Sequence, residues 1–126
     1  MENNVLIVSN DTPIVNILGM YLQQENYTLH WYITVLKAIE EIGNIPDIQI
    51  IISDIMLKGT TGIELYDWCR EQKKYKNIPF MFITPLNRTS EISKRLRKDN
   101  NLLYIQKPID PESVVQVIEM KLLNSF

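Results

Sequence analysis

Residues 50–64, I-I-I-S-D-I-M-L-K-G-T-T-G-I-E, constrain the fold of this chain more than any other stretch. Ile48 and the three consecutive isoleucines at 50–52 form a short apolar run of the kind that a strand buried on both faces requires. The run stops at Ser53-Asp54, which sets a carboxylate where a parallel strand would leave its sheet. In open α/β sheets that carboxyl edge is where ligands bind and chemistry takes place. Gly59 and Gly62 follow as turn residues, and Thr61-x-x-Glu64 has the spacing of a capping box that opens a helix. An aspartate at such a place is either a nucleophile or a strand-end turn residue, and position alone favours the turn.

The remaining apolar runs alternate with helical patterns. Val5-Leu6-Ile7-Val8 stops at Ser9-Asn10-Asp11 and reads as a buried first strand. Thr12 is placed to cap the next helix, with Pro13 at its first position and Ile14, Ile17, Leu18, Tyr21 and Leu22 on its inner face. Residues 28–33 change to a period of two, which predicts a strand with one wetter face at a sheet edge. Leu36, Ile39 and Ile42 predict a second helix closed by Gly43, and Leu65, Trp68 and Cys69 a third that ends in the cationic Lys73-Lys74-Tyr75-Lys76. Phe80-Met81-Phe82-Ile83 gives a fourth buried strand ending at Thr84-Pro85, and residues 102–105 a fifth ending at Gln106-Lys107-Pro108. Between these two strands, the helix around residues 90–98 has only Ile92 and Leu96 to bury and is expected to be the least firmly packed. Asp110-Pro111-Glu112 opens a last helix with Val114, Val117, Ile118 and Leu122 inward.

Five strand–helix units without linkers or repeats predict one α/β domain over residues 1–126, with a parallel sheet covered by helices on both faces. The edge character of the second strand selects the order 2-1-3-4-5, the doubly wound, flavodoxin-like arrangement. A chain of 126 residues buries enough surface to need no disulfide or metal for stability. Its single cysteine, Cys69, has no partner within the chain and suggests a reducing compartment. No run reaches the roughly 18 apolar residues of a membrane span, and Met1-Glu2-Asn3-Asn4 lacks the basic flank of a signal peptide. The expectation is a cytoplasmic protein that neither enters membranes nor, at a net charge of −2, binds nucleic acid as its main partner.

That topology brings Asn10-Asp11, Asp54, Thr84 and Lys107 to one edge. A carboxylate, a hydroxyl and an ammonium together suit a small phosphate-handling site: the lysine neutralises phosphoryl charge, the hydroxyl donates to it, and the carboxylate attacks phosphorus. No Gly-x-x-x-x-Gly-Lys loop or Gly-x-Gly-x-x-Gly turn is present to cradle a nucleotide. V-L-I-V near the start, I-I-S-D-I-M-L-x-G-x-x-G, P-F-M-F-I-T and Y-I-Q-K-P, in this order and at these separations, resemble the receiver domain of bacterial two-component response regulators, the family of the chemotaxis regulator. The resemblance covers essentially the whole chain. It implies that Asp54 is the phosphoacceptor, Thr84 the switch hydroxyl, Lys107 the phosphate-binding lysine and Tyr104 the switch aromatic. It also implies a cis Lys107–Pro108 bond, a histidine kinase as partner, and a signalling module rather than an enzyme.

The departures from that family carry as much weight. Its members usually place two acidic residues directly after the first strand, where this chain has Ser9 and Asn10. The second of them normally ligates Mg²⁺ together with the phosphoacceptor, here Asp54, and a backbone carbonyl at the position of Met56. With a hydroxyl and an amide instead, Mg²⁺ is expected to bind weakly or not at all, with Asn10 a weakened ligand. Asp11, at a position that usually points away, helps only if the loop turns differently. Pro85 lacks the N–H that the residue after the switch threonine offers to a phosphoryl oxygen. Lys58 stands where the family mostly has proline, and reads as a solvated loop lysine. The sequence therefore predicts a receiver that accepts phosphoryl on Asp54, with a phosphorylation-independent interaction module as the alternative; a flavodoxin-like cofactor binder lacks a flavin-phosphate loop. The basic, lightly packed fourth helix, the fifth strand and the last helix are expected to form the partner or homodimer face.

Overall fold

The computed structural model describes residues 3–85 and 87–123. Strands β1 (Asn4–Val8), β2 (Thr28–Tyr32), β3 (Ile48–Asp54), β6 (Phe80–Thr84) and β7 (Leu102–Gln106) form one sheet in the order β2-β1-β3-β6-β7, with all pairings parallel. A two-residue antiparallel ribbon, β4 (Met56–Leu57) with β5 (Thr60–Thr61), adds two strands to the count after Asp54 and leaves the expected order of the main sheet intact. Helices α1 (Thr12–Gln24) and α5 (Pro111–Leu123) cover one face of the sheet. The helices α2 (Val35–Glu41), α3 (Gly62–Glu71) and α4 (Ser90–Lys98) cover the other.

The alternation of side chains along the central strands builds two cores. Leu6, Val8, Ile51, Phe80 and Phe82 point toward α2, α3 and α4, with Tyr66 edge-on to Phe80 at 5.3 Å. Val5, Ile7, Ile50, Ile52, Met81 and Ile83 point toward α1 and α5. Burial on both faces is why these strands read as unbroken apolar runs. Each such side chain contributes about 1.5–3 kcal/mol on leaving water.

Several helix faces differ from the sequence reading. In α2 the buried residues are Val35 and Ala38, with Ile42 buried in the short 3-10 turn (Ile42–Asn44) that follows, whereas Leu36 is 69% exposed. Of the residues expected inward at 36, 39 and 42, Ile42 is buried and Ile39 is half-buried against the core, while Leu36 lies off the stripe that Val35 and Ala38 turn inward. In α1 it is Val15, Leu18 and Leu22 that are buried, and Ile17 is exposed. The α1 cap is Asp11, not Thr12, because its carboxylate accepts from the Ile14 N–H. Helix α3 stops at Glu71, so the lysines at 73, 74 and 76 lie in the turns that follow it, with Arg70 in its last turn. Thr61 caps α3 as expected, but Glu64 bonds the Thr60 hydroxyl and completes only half of a capping box. Gly62 is required where α3 begins: a Cβ there would press on the Asp54 carbonyl oxygen and come within 2.7 Å of Ser53 Oγ.

Candidate functional site

The strand ends deliver the polar residues to one edge. Asp54 is the last residue of β3 and, at 7% exposure, is nearly enclosed. Ser9, the first residue after β1, is fixed at every polar atom. Its N–H donates to the Tyr32 carbonyl at 3.1 Å and its carbonyl accepts from Trp31 Nε1 at 2.8 Å. The Ser9 hydroxyl donates to Asp54 Oδ2 at 2.6 Å and accepts from the Asp11 N–H at 3.0 Å.

Lys107 follows β7, and its backbone N–H donates to the Thr84 carbonyl at 2.7 Å. The Lys107–Pro108 bond is cis. The ammonium lies between two carboxylates, 3.0 Å from Asp11 Oδ2 and 3.4 Å from Asp54 Oδ1. Partial burial works to raise the Asp11 carboxyl, but the Lys107 ammonium and the Ile14 N–H outweigh it and hold the group below its ordinary range. Asp11, which the sequence reading turned away, thus faces the site. Its shape as an N-cap, one oxygen on α1 and one left over, aims it there.

Thr84 ends β6 beside Asp54, since β3 and β6 pair Asp54 with Ile83, and it is buried at 1% exposure. Tyr104 lies within β7, opposite Phe82, half-buried against the core under α2, α3 and α4. Burial raises its hydroxyl above the ordinary value, and the Arg88 charge offsets part of that. Asn10 is exposed in the bend after Ser9, and Pro85 is exposed after Thr84. Met56 lies in β4 with its side chain exposed. Lys58 is exposed too and lines a cavity of about 600 Å³ with Thr34, Leu36 and Glu64.

A Mg²⁺ ion takes six oxygens in near-octahedral geometry. The oxygens on hand are Asp54, the Met56 carbonyl, Asn10 and Asp11. Asp54 Oδ2 already accepts from the Ser9 hydroxyl, Oδ1 is ion-paired with the Lys107 ammonium, and Ser9 turns a proton, not a lone pair, toward Asp54. Asp11 is committed to Lys107, and among the described residues no three acidic, histidine or cysteine side chains stand together as a metal cage. The donor set as it stands does not fit Mg²⁺.

Side chains without a short-range sequence signal link α3 to α4 and the following turn. Arg95 makes a two-pronged contact with Asp67 at 2.9 and 2.7 Å. Asp99 accepts from Arg70 Nε at 2.7 Å and from the Tyr66 hydroxyl at 2.5 Å. These partners lie 28 to 33 residues apart, beyond the reach of any local pattern.

Residues 5–119 match the family model described as the response regulator receiver domain. The chain belongs to that family. Among its relatives, the regulatory protein VanR of Enterococcus faecium is 30% identical over 126 residues, 97% of this chain and 51% of that protein. The transcriptional regulatory protein ResD of Bacillus subtilis is 30% identical over 114 residues, 90% of this chain and 45% of that one. This receiver therefore spans about half the length of those relatives. The CheY-like receiver domain of Methanospirillum hungatei superposes with a TM-score of 0.82 at 25% identity, covering 97% of this chain and 94% of its own. The chemotaxis regulator CheY4 of Vibrio cholerae gives 0.82 at 21% identity, covering 96% and 99%. Both bear out the doubly wound, flavodoxin-like receiver fold. Among the described residues no helix is long and apolar enough to cross a membrane.

Proposed function

We propose that residues 1–126 act as one receiver unit of a two-component pathway in which Asp54 accepts a phosphoryl group from a histidine kinase. The observation that carries this reading is the Lys107 ammonium 3.4 Å from Asp54 Oδ1, at a nearly enclosed carboxylate on the strand adjacent to the one that Thr84 ends. A carboxylate oxygen forms the bond to phosphorus while the P–N bond to the kinase histidine breaks, and the leaving imidazole nitrogen takes a proton. Lys107 then neutralises the phosphoryl oxygens and Thr84 donates a hydrogen bond to them. The modification replaces the single charge of the Asp54 carboxylate with a phosphoryl group carrying about −1.5 to −2, a net gain of up to about one negative charge at a site where two carboxylates share one ammonium. Because the Lys107 N–H is tied to the Thr84 carbonyl, movement of either passes into β7 and Tyr104. The partner or homodimer face is then α4, β7 and α5, with Lys94, Arg97 and Lys98 exposed along α4.

The test is intact mass after incubation with acetyl phosphate or a phosphorylated histidine kinase, with and without Mg²⁺. One added phosphoryl group, absent in Asp54→Asn, is the expected result. The 2.6 Å Ser9–Asp54 bond favours a second reading, a phosphorylation-independent interaction module, because it occupies an attacking oxygen in the resting site. No labelling under any of these conditions would leave that second reading standing and overturn the first.

A further inference from the structure

We propose that Asp11 is a positioning residue that holds Lys107 back from Asp54, so that phosphoryl arrival requires Asp11 to release the lysine. This rests on the phosphoacceptor reading of Asp54. The ammonium is nearer Asp11 than Asp54, at 3.0 against 3.4 Å, and the Lys107–Asp11 pair is partly shielded, at 17% and 30% side-chain exposure. Asp11 cannot swing aside freely. Its Oδ1 caps α1 through Ile14, its N–H is bound to Ser9 Oγ, and its carbonyl accepts from Val15. The free geometry of the carboxylate is thereby spent, and Oδ2 is left directed at Lys107.

The arrangement follows from the residues after β1. With Ser9 and Asn10 neutral, the first anion of the loop comes at position 11, on a helix cap instead of a free loop. It retains the one ammonium seen between the two carboxylates and adds a negative charge facing an incoming phosphoryl dianion. Ser9 couples the two acids directly, since its hydroxyl donates to Asp54 and accepts from the Asp11 backbone.

Asp11→Asn separates charge from capping, because asparagine caps a helix as well as aspartate does. Asp11→Ser is a second neutral variant that keeps a capping oxygen, and Asp11→Glu restores the charge. Two readouts are taken: the rate of phosphorylation by acetyl phosphate or a phosphorylated histidine kinase, with and without Mg²⁺, and the Lys107 Cε cross-peak in a carbon–proton correlation spectrum. We expect Asn and Ser to accelerate labelling about three- to fivefold, the scale of one partly exposed ion pair, and to move the Lys107 peak, with Glu returning both toward wild type. An unmoved Lys107 peak in Asp11→Asn overturns the proposal, as does a moved peak with unchanged or slower labelling. If wild type and every variant stay unlabelled under all of these conditions, the phosphoacceptor reading has failed, and with it the release step. The peak then decides the hold of Asp11 on Lys107 alone.

Discussion

Gly62→Ala offers a measurement of how tightly the phosphoacceptor end of β3 is built. The added methyl would press on the Asp54 carbonyl oxygen and lie 2.7 Å from Ser53 Oγ and 3.0 Å from the Asp54 carbonyl carbon. Neither chain can retreat cheaply. The Gly62 N–H donates to the Ile55 carbonyl at 2.8 Å, and Ser53 Oγ donates to the Asp54 carbonyl at 2.7 Å. Overpacking costs about 1–3 kcal/mol and a lost internal hydrogen bond about 1 kcal/mol, so roughly 2–4 kcal/mol of destabilisation is expected. In a domain of this size that lowers the melting temperature by roughly 6–20 °C. Gly43→Ala is the matched control: nothing lies within 4 Å of its Cβ, and a less flexible unfolded chain makes it neutral or stabilising by up to about 1 kcal/mol. Urea and thermal unfolding followed by far-ultraviolet circular dichroism compare the two. If Gly62→Ala melts alongside Gly43→Ala, the close approach of α3 to Asp54 is not what the geometry says.

Four further outcomes follow from the strand-end site and from the contacts between α3 and α4. Ser9→Asp with Asn10→Asp should strengthen Mg²⁺ binding by at least about tenfold in calorimetry, since a carboxylate near 4 Å from a charge is worth about 1–4 kcal/mol; saturation of wild type at sub-millimolar Mg²⁺ would count against the donor-set argument. In the same series, Asn10→Asp should speed labelling of Asp54 more than Pro85→Ala does, because charge neutralisation outweighs one hydrogen bond. Burial alone would raise the Asp99 carboxyl, but the Tyr66 and Arg70 bonds overcome it and depress the group. Its stabilisation is therefore complete above the ordinary carboxylate range and lost as pH falls below it, so Asp99→Asn should flatten the acid limb of a stability–pH curve. Hydrogen exchange should show the earliest loss of protection in α4, where Ile92 is the one buried residue, and Asp67→Asn should hasten it by freeing Arg95; equal protection in all five helices would refute this.

The sequence was most informative where packing is two-sided. Residues 5–8, 50–52 and 80–83 are buried on both faces, so their type alone reports their place, and the alternation in β2 reports an edge. Asp54, Thr84 and Lys107 were legible because strand ends of a parallel sheet share an edge whatever the loops do. Helix faces were less legible: α2 buries Val35 and Ala38 while Leu36 stays out, so the more hydrophobic side chain is not the one turned inward. The role of Asp11 was hidden for another reason. Its direction depends on capping α1, and its partner Lys107 lies 96 residues away. The ties from Asp67 to Arg95 and from Arg70 to Asp99 are of the same kind, set by the meeting of α3 with α4 and the turn after it.

The bond from Trp31 Nε1 to the Ser9 carbonyl has a practical side. It puts an indole one residue's breadth from the hydroxyl that restrains Asp54, while the chain's other tryptophan, Trp68, stacks on Tyr75 at 5.9 Å in the core of the opposite face. The molecule thus carries its own optical probe of the loop after β1 and a separate internal standard. A shift in the Trp31 emission reports disturbance at Ser9, and Trp68 tells whether the rest of the domain has moved with it.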